Sequence, residues 1–308
     1  MSLTFSIVLA VLLDQWLGEP KKHHPLVYFG QLASHIEKKL RKPLYSATRL
    51  KYYGLLAIIF LIVPITTLTY LCNPWYWLNT LIAPVILYFC IAAKSLKQHA
   101  CAVLQALDSN NLALAKKQLS LIVSRQTEKM TADEIRKATI ESVLENGADA
   151  IFAPIFWFMI AGPAGAILYR FSNTLDAMWG YKNKKYFYFG WAAARFDDLL
   201  NWVPARLTAI SYTLLGNSSL AISCWKQQAH LLGSPNAGPV MTSGAGALNI
   251  QLGGPAWYHN KLKNKISFGS KNSPQNNDIH RANSLVTNTI FLWISILIFV
   301  QILGENLA

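Results

Sequence analysis

The sequence predicts an all-α fold: a polytopic helical membrane protein with broken or re-entrant helices and cytoplasmic helical segments. Three observations carry that reading. Of the 308 residues, 53% are hydrophobic and only 14% are charged, against about 25% charged in an average soluble protein. The apolar residues fall in blocks, several of them near the roughly 20 residues that a spanning helix needs. Aromatic residues gather at block edges, as Tyr52, Tyr53, Trp75 and Trp77 do, in the manner of interfacial belts. A single membrane-embedded domain is expected over residues 1–308.

The first apolar run, Ser2–Leu17, is short and holds Asp14, so it reads as a weak span. It lacks a basic start and a small-residue cleavage site, so no removable targeting peptide is expected. Tyr53–Leu71 and Trp75–Ala93 are full spans, joined by Cys72, Asn73 and Pro74 as a helical hairpin. Residues 94–149 read as a cytoplasmic helical insert, with Leu96, Ala100, Val103, Leu104 and Leu107 at helical spacing. Thr131-Ala132-Asp133-Glu134 opens a capped helix that should stop at Gly147. Ala150–Tyr169 is apolar but interrupted by Pro154, Gly162, Pro163 and Gly165. Leu199–Gly216 is interrupted by Asn201, Pro204 and Arg206. Such breaks suit helices that enter and return through packed or polar surroundings. Asn260–Ser284 is basic and rich in Asn and Ser and reads as a mobile loop; Leu285–Leu303 is the last full span.

The net charge of +13 comes from 28 Lys and Arg against 15 Asp and Glu. No zinc-finger spacing or RNA-binding motif accompanies it, so no nucleic-acid partner is expected, and the charge reads as orientation signal and lipid contact. The segment from Gly18 to Tyr52 carries Lys21, Lys22, Lys38, Lys39, Arg41, Lys42, Arg49 and Lys51, and should be cytoplasmic. The uncharged Cys72–Pro74 turn and both termini should lie outside. If both interrupted segments crossed, Arg170, Lys182, Lys184, Lys185 and Arg195 would be outside, against the rule. Entry and return keeps them inside. Cys72, Cys90, Cys101 and Cys224 form no C-x-x-C pair and read as buried apolar side chains.

Polar chemistry concentrates between Asn173 and Arg206. On a helix Asn173 and Asp176 share a face, as do Asp197 and Asn201, and Asp198 and Asn201. Carboxylates with amide oxygens are hard ligands suited to Mg2+, and Arg195 and Arg206 suit phosphate oxygens. Charges at membrane depth cost roughly 2.5–3.5 kcal/mol each, so they are rarely idle there. A structural Asp–Arg pair is the alternative. Glu141, Glu145 and Asp149 recur every four residues, as a site wall or as a solvated face. Ser124-Arg125-Gln126-Thr127 precedes a helix and suits either a phosphate or a loop cap. Ser234–Pro239, Gly244-Ala245-Gly246 and Gly253-Gly254 permit close approach of a ligand or of another helix. Asp14, Gly18, Glu19, Pro20, His24 and Pro25 form a turn at the membrane edge, where His24 binds phosphate or caps the turn. No Walker or dinucleotide-binding glycine motif is present.

These residues resemble the CbiB-type (CobD) family of cobalamin biosynthesis, the membrane-bound adenosylcobinamide-phosphate synthases. The likeness runs through Asn173–Tyr181, Phe189–Asp198 and Asn201–Leu207. It extends to Leu13–Pro25, to Glu141-Ser142-Val143 with Glu145-Asn146, Asp149 and Ala153-Pro154, and to Ser234–Gly238 and Leu252–Gly254, nearly the whole chain. The resemblance implies ATP-dependent amide ligation. Adenosylcobyric acid is joined to aminopropanol phosphate, or an analogue such as ethanolamine phosphate, to give adenosylcobinamide phosphate. It implies Mg2+ as cofactor and ATP as co-substrate.

By the same resemblance Asp176, Asp197 and Asp198 are the expected metal ligands and, with Glu141 and Glu145, the catalytic carboxylates. Arg125, Thr127, Arg195 and Arg206 are expected on phosphates. Asp14, His24, Asn146, Asn173, Asn201, Asn236 and Gly238 are expected around substrate. The expected setting is the bacterial cytoplasmic (inner) membrane, with the active site facing the cytoplasm. The expected partners are the corrinoid, the amino-alcohol phosphate and membrane lipid. A homo-oligomer and an association with other cobalamin-synthesis enzymes both stay open. The family usually has Arg-Asp-Thr where this chain has Arg125-Gln126-Thr127, a change that bears on metal or substrate binding. Two rival readings are another Mg2+-dependent membrane transferase and a non-catalytic sensor or transport-associated relative. The Asp14–Pro25 and Asn236–Gly238 motifs speak against the first, and the retained polar motifs against the second.

Overall fold

The computed structural model describes residues 3–20, 23–72, 76–258, 261–263 and 265–307. Ser2, Lys21, Lys22, Asn73, Pro74, Trp75 and Asn260, named above, lie outside the described residues. The helices are α1 Leu3–Leu17, α2 Pro25–Leu40, α3 Ala47–Leu71, α4 Tyr76–Cys90, α5 Ala93–Asp108 and α6 Leu112–Leu119. They continue as α7 Ala132–Gly147, α8 Ala153–Trp179, α9 Trp191–Leu215, α10 Ser218–Gln228, α11 Ala237–Leu248 and α12 Asn276–Leu307. Two short antiparallel pairs complete the fold: β1 Gln251–Gly253 with β4 Ser267–Gly269, and β2 Ala256–Tyr258 with β3 Lys261–Lys263. The fold is therefore all-α, as expected. Among the described residues four helical stretches are long and apolar enough to cross a membrane, Ala47–Leu71, Leu81–Asp108, Ala132–Trp179 and Asn276–Asn306.

By packing, the chain forms two compact units: Met1–Ala92 with Asp149–Trp202, and Ala93–Ala148 with Val203–Ala308. In the first unit α3 and α4 pack on α8, and α1 on α4. Phe29, Ile58, Leu61, Leu175, Trp179 and Phe189 form its core, with Phe29 stacked on Phe171 at 3.9 Å between ring centres. The predicted break occurs inside α8. Ala161 (φ −134°, ψ 21°) and Gly162 (φ 60°, ψ −149°) leave helical geometry, the latter in a region reserved to glycine. Ala153 and Tyr169 nevertheless share one buried cluster with Leu200. A straight helix would hold them about 24 Å apart. The chain reverses at Ala161–Gly162, so α8 is a helical hairpin broken at that point.

The segment after α8 lies against the basic end of α2 and α3. Glu37, buried, accepts from Arg41 Nε at 2.9 Å and from Tyr186 Oη at 3.1 Å, and Lys185 Nζ lies 3.2 Å away. Lys51 Nζ sits 5.1 Å from the Trp191 ring centre. Residues 181–191 thus pack against the end of α2 and the start of α3.

In the second unit α7 is wrapped by α5, α6, α11 and α12, burying Ile135, Ala138, Ile140, Val143 and Leu144. Thr131 forms the expected capping box with Glu134. Gly147 does not stop this helix, which runs on into a π-turn at Ala148–Phe152. A Cβ on Gly147 would lie 2.7 Å from Tyr212 Oη and 3.0 Å from Val286 Cγ2, so the glycine is there for close packing. Residues 276–284 are helical, where the sequence suggested mobile loop. Asn276 accepts from Arg136 Nε and donates to Asp108 Oδ1, each at 2.7 Å. Asp278 accepts from the Gln275 N–H at 2.7 Å. Those bonds anchor and cap the start of α12. Pro204 lies inside α9, which continues past it to Leu215.

Candidate functional site

The first unit gathers most of the predicted polar stretch. The returning arm of α8 presents Arg170, Asn173 and Asp176, the start of α9 presents Asp197, Asp198 and Asn201, and the π-turn presents Asp149. Asn173 Nδ2 donates to Asp197 Oδ1 at 3.4 Å, and Asn201 Nδ2 donates to Asp149 Oδ1 at 3.0 Å. Asp197 and Asn201 are buried. Burial, then the charge of Asp176, pushes the Asp197 carboxyl up to about 7. Asp176 sits against the backbone at the end of α8, where a Cβ on Gly180 would lie 1.9 Å from its Oδ1. Asp198 is half-buried and meets Arg195 at 3.9 Å, one turn away and largely exposed, a pair of small energetic weight.

Asp14 is buried and accepts from Gln15 Nε2 at 3.3 Å. His24 caps α2, its Nδ1 accepting from the Leu26 N–H at 3.2 Å. Burial holds the His24 imidazole below its ordinary value, with Glu19 opposing and Arg170 assisting.

The second unit holds the other predicted residues. Glu141 is buried, paired with Arg125, and accepts from the Gly253 N–H at 2.7 Å. This carboxylate joins the Ser124–Thr127 turn, α7 and β1. Glu145 is half-buried one turn further on, and Asn146 bonds back to Ser142 O at 2.9 Å. Thr127 is buried, and its carbonyl accepts from the Met130 N–H at 3.1 Å. Arg206 donates to Asn236 Oδ1 and to Pro235 O, each at 3.4 Å. Gly238 serves packing: a Cβ there would lie 2.4 Å from Ala229 O.

The sequence matches the family described as CobD/Cbib protein over residues 7–286. The chain belongs to the CobD/CbiB family. "Cobalamin biosynthesis protein CobD" of Chromobacterium violaceum is 45% identical over 306 residues, 98% of each chain. The protein of that name from Stutzerimonas stutzeri is 46% identical over 299 residues, 97% of this chain and 98% of that one. The one from Clostridium perfringens is 35% identical over 311 residues, 97% and 98% of the two chains. No solved structure matches the chain.

Among the described residues of this CobD/CbiB-family chain, no three His, Cys, Asp or Glu side chains form a group that would hold a metal. Mg2+ does not demand such a cage. It keeps several waters and takes one or two carboxylates plus substrate phosphates. The Asp176 and Asp197 carboxylates with the Asn173 and Asn201 amides fit that donor class, and the buried Oδ1 of Asn201 has no hydrogen-bond partner.

Sequence reasoning treated Arg170 only as an orientation charge. In the CobD/CbiB-family structure its Nη1 donates to Asn173 Oδ1 at 3.4 Å, and its Nε is buried without an acceptor. An arginine one turn before Asn173, inside an apolar stretch, was the signal for it. The π-turn that carries Asp149 had no such signal, although π-turns recur at functional sites.

Proposed function

We propose that the chain is an adenosylcobinamide-phosphate synthase. It joins the propionate carboxylate of adenosylcobyric acid to the amine of aminopropanol phosphate, or a close analogue, at the expense of ATP. The observation that supports this most is the buried Asp197, held by Asn173 beside Asp176 and Arg170, in a chain of this family.

A carboxylate is a poor acyl donor. Its oxygen attacks the γ-phosphorus of ATP, ADP leaves, and an acyl phosphate forms. The amine then attacks the acyl carbon, inorganic phosphate leaves, and the nitrogen loses a proton. Asp197 suits that proton, because an acceptor works best with a value near the operating pH. Arg170 supplies charge-assisted hydrogen bonds to transferring oxygens, and Asn173 and Asn201 orient substrate. Mg2+, which Asp176 and Asp198 would hold while Asp197 takes the proton, would neutralise phosphoryl charge. Arg125, Arg195 and Arg206 remain the candidates for the remaining phosphates.

The site belongs on the cytoplasmic side of the bacterial inner membrane in this reading. Residues 181–191 share a side with Gly18–Tyr52, and positive loops stay inside. The test is a ligation assay in membranes with adenosylcobyric acid, aminopropanol phosphate, ATP and Mg2+. Amide product with stoichiometric ADP is expected. No product beside an active family control rejects the reading.

A further inference from the structure

Tyr169 carries a hydroxyl that the ligation as described does not use. The residue stands on the returning arm of α8 and is 0% exposed, packed with Ala153 and Leu200. Its Oη is buried and has no hydrogen-bond partner. A buried hydroxyl left unpaired costs folding free energy, whereas an apolar side chain of the same shape does not. Phenylalanine would fill that space without the cost. A hydroxyl kept there at a loss to stability serves another state of the site.

Its neighbours say which state. The Asn201 amide lies beside the hydroxyl, and the charges of Asp149 and Asp197 act on it. Asn201 Nδ2 donates to Asp149 Oδ1 at 3.0 Å, while Asn201 Oδ1 is buried with no partner. Asp149 and Tyr169 are therefore neighbours of the same amide, one bonded to it and one not. For Asn201 to turn that amide to substrate, Nδ2 must leave Asp149. Its departure takes a donor from a half-buried carboxylate, which is costly unless another donor replaces it. The Tyr169 O–H is such a donor.

We propose that Tyr169 is a positioning residue of the ligation site: as substrate takes the Asn201 amide, the Tyr169 hydroxyl replaces that amide on the Asp149 carboxylate. One hydrogen bond breaks, one forms in its place, and no proton changes owner. The unpaired hydroxyl finds its acceptor only in the loaded site, so the exchange favours binding. The inference rests on the ligation reading, and gives Tyr169 and Asp149 a part that reading left empty.

The test is steady-state ligation by the full chain in proteoliposomes. Wild type, Tyr169→Phe, Asn201→Ala and the double variant are compared, each with its melting temperature. Tyr169→Phe should melt at or above wild type. Its KM for at least one substrate should rise at least about ten-fold with kcat little changed, the signature of lost binding that ground and transition states share. On the Asn201→Ala background the same change should add nothing, because Tyr169 acts through that amide. Asp149→Ala serves as a second background with the same expectation. A merely structural hydroxyl would lower the melting temperature and leave KM alone. Wild-type KM for every substrate in folded Tyr169→Phe, or an equal further rise on both backgrounds, overturns the proposal and leaves the ligation reading standing. Absence of product from wild type rejects the ligation reading and removes the inference with it.

Discussion

Trp157 and Gly165 meet through their backbones. A Cβ on Gly165 would lie 2.2 Å from the Trp157 carbonyl oxygen. Eight residues along one straight helix would separate them by about 12 Å. The contact exists because the chain turns back at Ala161–Gly162, and that return brings Asn173 to Asp197.

Gly165→Val drives a side chain into that carbonyl and should leave no monodisperse protein in detergent. Gly162→Ala meets open space, but at φ 60°, ψ −149° it should cost about 1–3 kcal/mol and lower the melting temperature by several degrees. Wild-type melting of Gly165→Val would contradict the hairpin.

Single cysteines at Lys38 and Lys184, in a variant lacking the four native cysteines, report the side of the membrane. Both should react with an impermeant maleimide in the same vesicle preparation, inside-out or right-side-out. Labelling from opposite sides would contradict the shared side read from Glu37, Lys185 and Tyr186.

Burial alone would raise the Glu37 carboxyl, but the donors Arg41, Lys185 and Tyr186 outweigh it and hold it below its ordinary 4.5. An acid depressed in the native state stabilises the fold fully above its unfolded value. That stabilisation is lost as pH falls through the native value. The melting temperature of wild type should therefore drop below pH 4.5 more steeply than that of Glu37→Gln. Parallel curves would remove Glu37 from the stability of the Lys182–Trp191 segment.

Glu141 has two strong partners, Arg125 and the Gly253 N–H. Arg125→Ala leaves that buried carboxylate short of its counter-charge, at about 3–5 kcal/mol. Thermal unfolding of the variant should shift down markedly, with the Arg125/Glu141 double variant recovering part of the loss. A double variant as unstable as the sum of the singles would show the two act separately.

Much of this was legible locally. The crowding of Gly162, Pro163 and Gly165 announced a break, because those residues cannot continue a helix unperturbed. Thr131 and Glu134 carried a capping box at fixed spacing, and Asn173, Asp176, Asp197 and Asn201 carried the polar face. What stayed hidden was decided by distant partners. Gly147 looks the same in sequence whether it ends a helix or admits Tyr212 and Val286. Residues 276–284 are polar and basic like a loop, yet Asp108 and Arg136 anchor Asn276 there. The spacing of Glu141, Glu145 and Asp149 suggested one acidic wall. The four-residue spacing did not name their partners, which are Arg125 and Gly253 for Glu141 and Asn201 for Asp149.

The most direct test is the rate of ADP release and amide formation by wild type and Asp197→Asn, each shown folded by its melting temperature. The proposed role predicts a loss of at least about 100-fold, the range for removing a proton-transfer group. A folded Asp197→Asn protein that ligates at the wild-type rate would contradict it.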